Sequence, residues 1–356
     1  PINIYAMNLS PSGTGKGYST GLIERSIIDR FRETFMENTF PLAAEQNMQK
    51  LAQSRALRKG SDPHDELAAL TKEFNSIGSL LFNFDSATVP AVKQLRHKLN
   101  LAKAGGVNLQ IDEIGANLVG QEEVTNAFLE LYDTGMIKDK LVKSSAENTR
   151  FERIEGATPT NMLLFGTPSK LLDSGATQRH LVDMLEMGYA RRCFFGYTAK
   201  VKKNVAADAT ELVNQMFNSS NDAQLDALSC SLEQLADISN LNKIVRIEQP
   251  EAIYLMEYKI HCDRRAEQLK EHEHILRSEL ENRFFKVLKL AAAYAFRDYS
   301  PNIRIHHLEA AMKLAEDSGR DFARLMQPEF DYEKVAKYLA DCGTAVTLPD
   351  LEQALP

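Results

Sequence analysis

The chain has 356 residues, 44% of them hydrophobic and 26% charged, enough for one large domain or two to three modest ones. It holds no apolar run of about 18 residues, which excludes a spanning helix, and residues 1–9 lack the basic start and small-residue cleavage site of a secretion signal. A net charge of -7 excludes binding to nucleic acid through bulk composition, and four scattered cysteines without a C-x-x-C pair argue for a reducing cytoplasm and against zinc or disulfides.

In chain order, Ile2, Ile4, Ala6 and Leu9 mark a short strand. The glycine-rich stretch "NLSPSGTGKGYST" (8–20) follows, then helical spacing at Leu22, Ile23, Ile27, Ile28 and Phe31. The start at Pro1, so close to this loop, reads as part of something longer or as an engineered start. Residues 36–100 are helical and charged, broken at "KGSDPHD" and "FDSATVP". "GGVNLQIDEIG" is the next strand, although Asn108 and Gln110 are polar where a central parallel strand is apolar on both faces. A helix at "EEVTNAFLELYDTG", the strand "TNMLLFGTPS", another helix and the strand "CFFGY" complete a strand–helix alternation. That alternation predicts an α/β fold with a parallel sheet flanked by helices over 1–205, including a helical insertion at about 36–100. Long helical patterns over 206–330 predict a second, helical domain, and 331–356 has the rhythm of a winged-helix start.

Strand, glycine turn and helix form the context of a phosphate-binding loop. Backbone N–H groups of Ser12, Gly13, Thr14, Gly15, Lys16, Gly17 and Tyr18 would make an anion nest at a helix N-terminus, with Lys16 reaching the β- and γ-phosphates. Against a plain glycine turn stands the strand ending in Asp112 and Glu113: the first carboxylate suits Mg²⁺, the second the attacking water of ATP hydrolysis. Thr167 ends the strand expected to lie between these two, within reach of a γ-phosphate; a capping threonine is the plainer alternative. The adjacent Arg191 and Arg192 are ordinary surface charges, or one of them reaches a neighbouring copy's γ-phosphate in a ring.

The order of "SGTGKG", "FDSATVPAVKQL", "LQIDEIG", "FLELYDTG", "LLFGTPS", "GYARRCFF" and "RFFKVLKLAAAYAF" resembles the AAA+ motors attached to primases in phages and mobile elements, and more distantly the minichromosome-maintenance helicases. The resemblance implies a P-loop NTPase core of the ASCE type with a helical lid, working as a ring, as in a hexamer. Carried over by position, it makes Lys16 the phosphate lysine, Asp112 and Glu113 the metal and water pair, Thr167 the first sensor and Arg192, rather than Arg191, the trans-acting arginine. Arg283 takes the place of the second sensor, with Lys286 its rival. The Asp-x-x-Thr element in "FDSAT" belongs to the same pattern without an evident physical role. The chain departs from the usual loop twice: Ser10 replaces the first glycine, and Gly17 removes the hydroxyl that ordinarily ligates Mg²⁺.

Lys138, Lys140, Lys143, Arg150 and Arg153 lie between the metal and sensor strands. They read equally as a solvated hairpin or as channel loops that track phosphates of single-stranded DNA. His272 and His274 fall on different faces of a helix, which excludes a shared metal. The expected function is an ATP- and Mg²⁺-dependent replicative helicase motor in a bacterial or phage-infected cytoplasm, with a primase domain or replication proteins as further partners. The alternatives are an AAA+ protein remodeller or loader, and a nucleotide-gated scaffold with weak hydrolysis.

Overall fold

The structure is a computed structural model that describes residues 1–114, 122–138, 156–172, 175–198, 208, 222–326, 331–342 and 346–354. Strand β1 (Tyr5–Leu9) runs through the glycine loop into helix α1 (Lys16–Ile23). Helix α2 (Asp29–Thr34), with a π-helical turn on either side, continues it into the long α3 (Phe40–Lys59). Helices α4 (Pro63–Ser76) and α5 (Val89–Ala102) complete the helical stretch between the first two strands. Their starts follow from the sequence: Asp62 and Thr88 accept from the N–H groups of His64 and Ala91, and each is followed closely by proline.

Strand β2 (Val107–Ile111), helix α6 (Glu122–Thr134), strand β3 (Thr160–Gly166), helices α7 (Pro168–Leu172) and α8 (Gly175–Met184), and strand β4 (Cys193–Tyr197) follow. The strands pair in parallel in the order β2-β3-β1-β4, so β3 lies between the strands that end in the glycine loop and in Asp112. This is an α/β fold with a parallel sheet flanked by helices. The register within β1 differs from the sequence expectation. Tyr5, Met7 and Leu9 face the main core, where Tyr5 donates to the Phe128 carbonyl of α6. Ile4 and Ala6 face the opposite side and pack on a second apolar cluster. Because helices cover both faces of β1, alternation carried little information there.

The polar residues of β2 are explained by its neighbours. The segment 82–84 runs beside it, with Phe84 N donating to Asn108 O at 3.1 Å and Gln110 N to Phe84 O at 2.8 Å. Asn108 donates to Phe82 O and accepts from Asn161, while Gln110 donates to Glu24. The "FDSAT" segment therefore guards the edge of β2 and then starts α5 through the Thr88 cap.

The opposite edge is covered by the later helices. Helices α9 (Asp222–Glu233), α10 (Gln249–Glu267), α11 (His274–Arg297) and α12 (Ile305–Met326) follow, with a small parallel pair, β5 (Arg246–Ile247) and β6 (Asn302–Ile303). Along β4, Phe195 N donates to Ser318 Oγ at 2.6 Å and Tyr197 N to Asp321 Oδ2 at 3.2 Å. Ser318 and Asp321 stand three residues apart on α12, and Phe322 beside them stacks on Phe195 with ring centroids 4.2 Å apart. Among the described residues, 331–356 contributes helices α13 (Asp331–Cys342) and α14 (Leu348–Ala354) and no strand. No described helix is long and apolar enough to cross a membrane.

Ion pairs tie the later helices together. Glu316 of α12 accepts from Arg283 at 2.8 Å, Arg265 at 2.9 Å and Tyr258 at 2.7 Å. Burial works to raise its pKa, but the Arg283 charge and these three donors outweigh it and hold the carboxyl down to about 2, against 4.5 ordinarily. A depressed folded pKa gives stability that is present above 4.5 and lost as pH falls toward 2. The melting temperature is therefore expected to drop across that window, and Glu316→Gln to flatten the drop; thermal melts by circular dichroism check this.

Candidate functional site

The loop between β1 and α1 owes its shape to its glycines. Gly13 and Gly15 have φ values of 76° and 83°, in the left-handed region that other residues avoid. Ser10 Oγ and Thr14 Oγ1 lie 2.9 Å apart, and Thr14 also donates to Pro11 O. Ser10, the non-glycine at the loop's first position, thus joins a hydroxyl pair that braces the turn. Lys16, at the first turn of α1, curls back over the strand ends, donating to Ser10 O at 2.8 Å, Gly166 O at 2.8 Å and Thr167 Oγ1 at 3.2 Å.

Thr167 follows the last residue of β3, and the fold leaves little freedom there. A Cβ on Gly166 would lie 2.8 Å from Leu171, 2.9 Å from Ile114 and 2.9 Å from Leu9, so only glycine lets the strand end approach its neighbours. The buried Thr167 donates through Oγ1 to Glu113 Oε2 at 3.2 Å and through its N–H to Oε1 at 3.4 Å. Glu113 is half-buried just beyond β2, with Asp112 exposed before it. Lys16, Thr167 and Glu113, expected to act together, are brought together at the C-terminal ends of β1, β3 and β2. Ser12, Gly13, Gly15, Gly17 and Tyr18 are exposed around the mouth of the loop, and Thr14 is half-buried within it.

Gly17 is not demanded by the backbone. It lies inside α1, and a Cβ there would meet nothing within 4 Å. Neither hydroxyl further along the helix replaces the missing one. Thr20 Oγ1 is committed to Lys16 O at 2.9 Å, and both Ser19 and Thr20 line the space beneath the helix. Among the described residues, Asp112 and Glu113 are the carboxylates at this end of the sheet that suit a hard cation, and Asp112 is the exposed one of the two. Gly17→Ser is expected to fold, to stabilise α1 by about 0.5 kcal/mol, and to raise Mg²⁺-dependent nucleotide turnover several-fold; urea melts and phosphate release check both.

Beneath α1 is a cavity of about 500 Å³, lined by Lys16, Thr20 and Ile23 on one side and by Asn8, Leu163 and Phe165 of the sheet on the other. Helix α1 buries none of its residues. The sequence reading missed Asn8 and the Gln110–Glu24 contact that also border this space. Their signal was polar residues on strands expected to be apolar.

Two assignments need correction. Arg192, expected to reach a neighbouring copy, is 6% exposed. It pairs with Asp133 Oδ1 and Oδ2 at 3.2 and 2.5 Å and donates to Gly188 O at 3.1 Å. Gly188, with φ 124°, makes this fold-back possible, because a Cβ there would run into the guanidinium. The exposed arginine of the pair is Arg191. Arg283, expected as the second sensor, is 2% exposed and held by Glu279 and Glu316. Its rival Lys286 is 0% exposed, donating to Glu279 and Cys193 O. Both are interior ion-pair residues of the later helices.

Lys138 is exposed, its N–H donating to Glu130 at 2.8 Å. Lys140, Lys143, Arg150 and Arg153 lie outside the described residues. Among the described residues, Asp298, His306 and His307 group three metal-ligand atoms within 4.8 Å. The hydrogen bonds argue against a metal there. His307 Nδ1 accepts from Arg304 N at 3.0 Å, which leaves the ring proton on Nε2, 3.2 Å from Asp298. Compared with protein-family models and with curated proteins, the chain matches none.

Proposed function

We propose that the chain is the ATP-hydrolysing motor of a replicative DNA helicase, a P-loop ATPase of AAA+ type that works as a homo-oligomeric ring on single-stranded DNA. The observation that carries this reading is the convergence of Lys16, Thr167 and Glu113 at the ends of three adjacent parallel strands. Binding begins at the loop, where N–H groups and the start of α1 favour anions and Lys16 exchanges carbonyl partners for phosphate oxygens. Asp112 would hold Mg²⁺, which would supply neutralisation of the charge on the phosphates. Glu113 orients water toward the γ-phosphorus and takes its proton as the bond to the β–γ bridging oxygen breaks, releasing ADP and phosphate. Thr167 fixes the height of Glu113 above the strand ends.

DNA contact is assigned to the basic segment that begins at Lys138, and a primase domain or replication proteins to the ring's surroundings. Arg191, exposed beside the buried Arg192, replaces it as the arginine available to a neighbouring copy. ATP turnover measured with and without single-stranded DNA tests the motor reading. Stimulation by DNA, lost in a Lys138/Lys140/Lys143 triple alanine, is expected; turnover indifferent to DNA, with the triple variant binding DNA normally, sinks it. The second reading, a nucleotide-gated scaffold, draws on Gly17 and on the commitment of Thr20 to Lys16 O. Tight nucleotide binding with negligible turnover in the same assay selects it.

A further inference from the structure

Beneath α1, one face of the sheet is incompletely covered. Burial alternates along β1, β2 and β3, and on the half-buried face Asn8 lies beside Phe165 and Gln110 beside Leu163 across the ladders. A parallel sheet is ordinarily buried on both faces. Helix α1 stands over this one without burying a residue and leaves the cavity of about 500 Å³. Leu163 and Phe165 give it an apolar floor, and Ile23 and Ile28 line it from the helical side.

Two polar side chains border this space with hydrogen-bonding capacity unused. Gln110 is oriented by its neighbours: its Oε1 accepts from Asn83 at 3.3 Å and its Nε2 donates to Glu24 Oε1 at 2.8 Å. Glu24, the first residue of the π-helical turn after α1, is half-buried in the cavity wall. Among the described residues its carboxylate has no partner besides Gln110, and no cation pairs with it. The side-chain amide of Asn8 has no partner among them at all. Its Oδ1 reaches over β4, where a Cβ on Gly196 would come within 2.6 Å of it. A partly desolvated carboxylate without a counter-ion is costly, and a cation seated beside it relieves that cost. A hard metal ion is the wrong cation here, because it requires several oxygen ligands and the floor is apolar. A flat organic cation suits both the carboxylate and the aromatic surface of Phe165.

We infer that the cavity beneath α1 is a binding site for a small, flat organic cation, an aryl amidinium or a protonated amino-heterocycle, with Glu24 as its counter-ion. The N–H groups of the ligand donate to Glu24, its ring lies against Leu163 and Phe165, and Asn8 supplies a further hydrogen bond at the ring edge. This goes beyond the nucleotide reading, because the carboxylate that holds such a ligand repels a phosphate. Ser10, Thr14 and Lys16 share the cavity lining, so the occupant borders the glycine loop from beneath.

Benzamidine is the probe, and benzamide, neutral and of the same shape, is the comparison. Both are titrated by calorimetry into the full chain without nucleotide. Benzamidine is expected to bind once per chain, about tenfold or more tighter than benzamide, the worth of a hydrogen bond to a charged group. In Glu24→Gln that preference is expected to vanish, while benzamide binds as before. The chain contains no tryptophan, so Ile23→Trp provides a single fluorescent reporter in the cavity wall, and its emission should follow the same titration. Thermal melts establish that both variants fold. Equal binding of the two compounds by the wild-type chain, a preference that persists in Glu24→Gln, or an emission indifferent to benzamidine overturns the inference. None of these results bears on the nucleotide reading, which the Lys16 and Glu113 variants test.

Discussion

Lys16→Ala is expected to weaken binding of ATP by at least about a hundredfold, the loss of two charge-assisted hydrogen bonds to phosphate. The effect is specific because Lys16 is only half-buried and its partners are two carbonyls and a hydroxyl at the mouth of the loop. Alanine leaves Ser10 O and Gly166 O open to water, so the melting temperature should move little. Gly13 and Gly15 keep the loop's shape in the variant, since that shape follows from their left-handed backbone and not from the lysine. Binding of a fluorescent ATP analogue beside a thermal melt separates the two effects. A variant that binds like wild type would mean that phosphate does not meet Lys16.

Removing Glu279 is expected to have the largest effect on stability. Glu279 is 1% exposed and is gripped by two cations, Arg283 and Lys286, themselves 2% and 0% exposed. Burial works to raise the Glu279 pKa, but the charges of Lys286 and Arg283 overcome it and the carboxyl stays below its ordinary value. Glu279→Leu removes a partner from both cations. Arg283 keeps Glu316, whereas Lys286 keeps only the Cys193 carbonyl at 2.9 Å and its position over two phenylalanine rings. Breaking a buried pair in this way costs about 3–5 kcal/mol, read as a shift in the midpoint of urea unfolding. Replacing Glu279, Arg283 and Lys286 together by Leu or Met should recover most of that loss, because no uncompensated charge then remains. Full loss in the triple variant would show that the network does more than balance charge.

The same buried network marks where reading the sequence ended. The glycine loop, the Asp112–Glu113 strand and the tip at Thr167 were legible because each is a local pattern: clustered glycines, an alternating strand that ends in two carboxylates, and a polar strand end. The placing of β3 between β1 and β2 followed from reading the glycine loop and the Asp112–Glu113 strand as parts of one nucleotide-binding sheet. Arg192 and Arg283 misled because what decides an arginine's role is its partner, and the partners are remote. Asp133 lies 59 residues from Arg192, and Glu316 lies 33 from Arg283. Asn108 and Gln110 looked wrong for a core strand for a similar reason, since their partners at 82–84, Asn161 and Glu24 come from three separate elements. In β1 the apolar residues on both faces hid which of them met the main core.

In the proposed function the three strand ends form one hydrolytic site with Glu113 as its base. Glu113→Gln keeps the shape of the side chain and removes its ability to take a proton. Measured side by side, binding of ATP and release of phosphate should part company in this variant: binding retained or tightened, turnover reduced by about a hundredfold or more. A Glu113→Gln chain that hydrolyses ATP at the wild-type rate would contradict the claim.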